Sequence, residues 1–150
     1  MRLISSVFFM LLLSSPVLAI SFKVSDVCSK KLVLNSKISI KKSMTVSQAT
    51  SIALRKNKVP HQFSGRVIKS ILNTPVGMDA IDVYSDESMA AFGWCVLVNG
   101  KLLQQPIYKQ MIKKESDSIH WFYGSAFLDK DEWKDMCVPS FKRQPRHLCR

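Results

Sequence analysis

Acidic residues are what this chain lacks first. It carries 22 Lys and Arg against 11 Asp and Glu, a formal net charge of +11 at pH 7. The shortage is uneven: no Asp or Glu occurs from Val27 to Met78, and none follows Asp135. The first stretch holds Lys30, Lys31, Lys37, Lys41, Lys42, Arg55, Lys56, Lys58, Arg66 and Lys69, and the second Lys142, Arg143, Arg146 and Arg150. Such a balance suits anionic surfaces, whether lipid headgroups, lipopolysaccharide or nucleic acid. The plainer alternative is a solvated, solubilising face, and the lack of aromatics interleaved with the cations favours it. Glycine is also scarce, at 5 residues. There is no glycine loop to cradle phosphate, no nucleophile elbow and no His-Glu-x-x-His pair. These absences remove the commonest nucleotide-binding and hydrolytic signatures. No Asn-x-Ser/Thr acceptor is present, and no apolar run in the chain is long enough to span a bilayer.

That amino-terminal run is the first positive feature. Arg2, the apolar Val7 to Leu13 and the small-residue site Val17-Leu18-Ala19 read as a secretory leader over residues 1–19, cut after Ala19. The run is too short for a membrane anchor, and the first cysteine, Cys28, lies well past the cut, against a lipid anchor. The expected location is therefore secreted or periplasmic. Four cysteines follow, Cys28, Cys95, Cys137 and Cys149. An even count in an exported chain predicts two disulfides. Three pairings are possible, and the reading leans to Cys137–Cys149 with Cys28–Cys95. A zinc site from Cys137, His147 and Cys149 is the alternative, but it lacks a close Cys-x-x-Cys pair.

The central stretch is Phe92 to Lys101. Trp94 to Val98 is uncharged, aromatic and β-branched, as in a strand buried on both faces. Asn99-Gly100 then predicts a tight type I′ turn. Trp94, Val96 and Val98 should share one face, with Cys95 and Leu97 on the other. Around this strand the chain reads as a hairpin (20–27 with 31–42), then a helix from Val46 to Lys56 capped by Thr45 or Ser47. The apolar face of that helix should be Val46, Ala49, Ile52 and Ala53. A strand over Arg66 to Leu72 comes next, and Asp79 to Ala91 is expected as an irregular acidic excursion. After the central strand comes a short return at Lys101 to Leu103. A final aromatic strand from Ser118 to Tyr123 places Ile119, Trp121 and Tyr123 opposite His120 and Phe122. Asp129 is expected to cap a short helix reaching Met136, followed by an irregular tail. The domains are then 20–126 and a basic, disulfide-tethered extension at 127–150.

Met44-Thr45-Val46, Phe63-Ser64-Gly65, Ile68-x-x-Ile71, Trp94-x-x-x-Val98-Asn99-Gly100 and Lys114-Glu115-Ser116-Asp117-Ser118-Ile119-x-Trp121 occur here in a recognisable order. In this the chain resembles the β-grasp module that forms the C-terminal domain of transcobalamin and intrinsic factor, and that recurs in exported bacterial proteins of unassigned function. The family usually has Gly where Ser116 stands. The resemblance implies an α+β fold: a β-grasp (ubiquitin-like, SLBB-like) with a mixed sheet crossed by one main helix. It implies a binding module without chemistry of its own. Corrinoid binding follows by family analogy only, because transcobalamin holds its ligand against a separate helical domain that this chain lacks.

The function expected is non-enzymatic binding of a small molecule or an envelope protein, with no cofactor and no resident metal. Trp94, Tyr108, His120 and Phe122 would supply an aromatic patch, rimmed by Asp82 and Asp86. Glu87 adds a third carboxylate, but the spacing is not that of a calcium loop. Electrostatic attachment to an anionic polymer or membrane is the alternative. A small secreted hydrolase comes third, because the strand neighbours of His120 offer only Ser118 and aromatic groups, with no carboxylate. His61 and His147 sit in no recognisable ligand spacing.

Overall fold

The computed structural model describes residues 17–41 and 43–149. The expected leader lies outside the described residues up to residue 16, and Val17–Ala19 form the start of a strand. Alternation in the first segment yields β1 (Val17–Ser25) and β2 (Leu32–Lys41), an antiparallel hairpin with Ile20 opposite Ile38. Ile20, Phe22 and Val24 all point inward and are fully buried. Cleavage after Ala19 would spare all three.

A two-residue strand, β3 (Met44–Thr45), leads into α1 (Val46–Lys56). Thr45 is the N-cap, and its side chain and that of Gln48 bond each other's backbone N–H in a capping box. The buried stripe of α1 is Val46, Ala49, Thr50, Ala53 and Leu54. These positions fall at offsets of three and four, so one face meets the sheet. Ile52, expected inward, is only half-buried. Thr50 takes an inward place because its hydroxyl accepts the Trp121 indole N–H at 3.0 Å.

β4 (His61–Ser64) and β5 (Val67–Ile71) form a small separate hairpin. A 3-10 turn over Gly77–Ala80 precedes β6 (Ile81–Ser85), which turns back into β7 (Ser88–Val98). The acidic excursion expected over 79–91 is thus mostly a hairpin. Asn99 and Gly100 take φ of 53° and 76° and make the expected turn into β8 (Lys101–Leu102). β9 (Met111–Ile112) pairs with β3. β10 (Ser118–Asp129) and β11 (Glu132–Pro139) close the sheet.

The main sheet runs β2-β1-β10-β7-β6. β1 and β10 are parallel, with Val24 beside Trp121, and the other neighbours are antiparallel. The fold is therefore α+β with a mixed sheet. The long strand β10 sits at its centre, one place from the strand expected there. The sheet face bearing Phe22, Val96, Ile119 and Trp121 is covered by α1. Further along the same face, Ala90, Phe92 and Tyr123 are covered instead by Leu148 of the tail and by Val27. Asp117 ties the turns at one end. It accepts from the Lys113 and Lys114 N–H groups at 2.8 and 3.0 Å and from the Asn99 amide at 2.9 Å. Burial would raise its pKa, but these donors and the Lys114 charge together hold it below the ordinary carboxylate value. Ser116 does not take a positive φ, so this turn does not require glycine.

The C-terminal end departs from expectation in its helix and in its disulfide pairing. The helix from Asp129 to Met136 is absent: Lys130 and Asp131 take φ of 49° and 64° and turn the chain into β11. β10 also runs unbroken through the boundary drawn at 126/127. The disulfides are Cys28–Cys149 and Cys95–Cys137, not the pairing favoured above. The zinc alternative falls with it, since Cys137 and Cys149 are both consumed. A bulge in β11 between Lys134 and Val138 lifts Cys137 over β10 to reach Cys95 on β7.

Candidate functional site

β7 is flanked by β10 along its whole length, but its other edge is not continuous. β6 pairs with it only as far as Ala91, and β8 begins at Leu97. Phe92 to Val96 therefore has no strand partner on that side among the described residues. The Val96 carbonyl accepts the Leu103 N–H at 3.0 Å. Beside this gap lies a cavity of about 440 Å³, lined by Val67 and Ile68 of β5, Trp94 to Val96 of β7, Leu102, Leu103 and the loop from Gln105 to Tyr108. Trp121 and the Cys95–Cys137 pair complete the wall. The size and apolar lining are those of small-molecule sites. Trp94 is fixed there by its indole N–H, which donates to the Thr74 hydroxyl at 2.8 Å.

A second hollow of about 510 Å³ lies at the start of α1, lined by Thr45, Ser47, Gln48, Arg66 and Tyr108 among others. Its polar groups are largely spent. Thr45 and Gln48 form the capping box, and the Ser47 hydroxyl donates to the Arg66 carbonyl at 2.8 Å. Tyr108 stands between the two hollows and lines both. No protein-family model and no curated protein matches this chain. Function must therefore be argued from the geometry of these walls.

The six residues expected to form one site fall in four places. Trp94 and Tyr108 share the apolar cavity. His120 and Phe122 point to the opposite sheet face, ring centroids 6.4 Å apart. Phe122 is covered there, only 8% exposed. Asp82 is 7% exposed and buried under the tail, where it accepts the Arg146 backbone N–H at 2.8 Å and meets the His147 ring at 3.2 Å. It anchors the tail and does not rim the cavity. Asp86 lies at the exposed β6–β7 turn, beside a smaller hollow of about 170 Å³. The cavity residues that sequence reasoning missed are Leu102, Leu103, Ile107 and the β5 pair. Only the short return strand after Asn99-Gly100 hinted at them.

His120 does have a partner, from the other end of the chain. Ser25 Oγ lies 2.8 Å from its Nε2. Burial first, and the Lys23 charge second, hold the imidazole below its usual pKa, so it is neutral at pH 7. A serine beside a neutral histidine is the first half of an activated nucleophile. The second half is missing among the described residues, since no carboxylate is bonded to His120 Nδ1. Around Asp82 the Tyr123 and Ser125 hydroxyls and His147 Nε2 are buried without a protein partner among the described residues. They floor the tail's contact with the sheet.

Proposed function

We propose that this chain is an exported, non-enzymatic binding module of the β-grasp kind, related to the C-terminal domain of transcobalamin and intrinsic factor. The strand order supports the β-grasp assignment: a first hairpin, a crossing helix, and a last long strand running parallel to β1 at mid-sheet. The two disulfides support an oxidising, extracytoplasmic setting. The observation that carries the function is the apolar cavity beside the open edge of β7. Its ligand is a small, largely apolar molecule that stacks on Trp94 and is oriented by the Tyr108 hydroxyl and the side-chain carbonyl of Gln105, whose amide nitrogen donates to Gln110. A corrinoid with its nucleotide loop is larger than this cavity and would be only partly enclosed. An envelope protein would use the same place differently, laying an extended segment against the unpaired edge of Phe92 to Cys95.

Native mass spectrometry of the protein purified from its own host tests this reading. A retained small molecule, lost in a folded Leu103→Glu variant, supports it, and a retained polypeptide supports the strand-adding form. Titration with an apolar fluorescent probe should quench Trp94 in the wild type and not in Leu103→Glu. A bare chain whose fluorescence ignores both that probe and cyanocobalamin refutes the assignment.

A further inference from the structure

We propose that the Cys28–Cys149 disulfide assembles a basic, apolar-tipped patch that docks on an anionic lipid surface. The two acid-free stretches lie at opposite ends of the sequence, yet the fold brings them together. Cys28 is bonded to Cys149, the Gln144 amide donates to the Cys28 carbonyl at 3.3 Å, and the Ser140 hydroxyl donates to the Val27 carbonyl. Lys30 of the β1–β2 turn thereby stands over the Phe141 ring of the tail, next to Lys142, and Lys30, Lys31 and Lys142 are all exposed. The carboxylates that touch these segments are already engaged. Asp26 accepts from Ser29 at 2.8 Å, Asp135 pairs with Arg143 at 3.2 Å, and Asp82 is buried against Arg146 and His147.

Two features favour a bilayer over a nucleic acid. Leu32 and Val33, directly after the lysine pair, are 41% and 47% exposed and can enter the headgroup region while the lysines meet phosphates. Single-stranded nucleic acid instead needs open aromatic faces on which bases stack. Here the candidate faces are capped: the Arg146 guanidinium lies 4.4 Å over the Tyr84 ring, and Lys30 Nζ lies 5.3 Å from the Phe141 centroid. The patch shares no residue with the apolar cavity, so it is an attachment surface independent of ligand binding.

The experiment is co-sedimentation of the oxidised protein with phosphatidylcholine vesicles containing or lacking phosphatidylglycerol. The wild type should bind only the anionic vesicles, and should release them as salt rises from about 0.1 M to about 1 M and the Debye length falls from about 10 to about 3 Å. Each basic contact near the surface is worth about fivefold in partition, so Lys30→Gln/Lys31→Gln/Lys142→Gln should bind about a hundredfold more weakly. Leu32→Ser/Val33→Ser should weaken vesicle binding several-fold at unchanged charge. Lys101→Gln/Lys109→Gln/Lys113→Gln, which removes the same charge near the opposite end of β10, should bind as the wild type does. These charge variants leave both disulfides in place. Equal loss in the two lysine triples, absence of binding to anionic vesicles, or binding to a single-stranded oligonucleotide without binding to vesicles each overturns the proposal.

Discussion

Gly124 shows how narrowly one position can be specified. A β-carbon there would sit 3.1 Å from the Val138 carbonyl, 3.2 Å from Cys95 Sγ and 3.2 Å from the Phe122 ring. The first is held in the β10–β11 ladder and the second in a disulfide, so neither can give way freely. Gly124→Ala should cost about 1–3 kcal/mol, the usual range for overpacking, read as a lower midpoint in chemical denaturation at unchanged slope. Tyr123 is a second case. Burial first, and the Asp82 charge second, push its pKa up to about 12. The unfolded chain loses this proton near 10 and the folded protein does not. Stability from this group is therefore complete below pH 10 and drains away as pH rises from 10 towards about 12. Tyr123→Phe should remove that loss, seen as a flatter alkaline limb of denaturation midpoint against pH. At pH 7 the change should be close to neutral, because the hydroxyl has no protein partner to lose.

Elements that satisfy their own local rules were legible in the sequence. α1 runs from Val46 to Lys56 as expected, because its cap, stripe and terminal cations agree. Asn99-Gly100 specified its turn, since those two residues enter positive φ readily. Elements whose logic depends on distant partners were not legible. β6 inverts the usual alternation: Asp82 points in, while Val83 is 64% exposed. That carboxylate is tolerated inside only because the backbone of Arg146 and the ring of His147 meet it from the far end of the chain. β11 was hidden for a related reason. Its entry turn uses Lys130 and Asp131 at positive φ, where no Asn-Gly marks it, and its bulge serves a disulfide to β7. The candidate site was half visible. Trp94 and Tyr108 were named, but the gap that opens the cavity arises from where β6 stops and β8 starts, and neither limit is written in any motif.

At the scale of the whole molecule, the two disulfides divide the labour. Cys95–Cys137 crosses β10 and clamps the outer sheet face, whereas Cys28–Cys149 fastens the tail beneath the first hairpin. The tail carries structure as well as charge. Leu148 and His147 pack on the aromatic cluster of Phe92 and Tyr123, so the basic extension and the sheet stand or fall together.

Cys28–Cys149 spans 121 positions of sequence. The chain is consequently a covalent ring over nearly its whole described length, with only short ends outside it. A protease that nicks one peptide bond inside that ring but outside the Cys95–Cys137 loop, for instance at the exposed Arg66-Val67 tip of the β4–β5 hairpin, opens a loop without releasing a piece. A singly clipped molecule should therefore migrate at full mass until a thiol is added, and then resolve into two fragments. Separation of those fragments on a non-reducing gel would mean the ring is not closed.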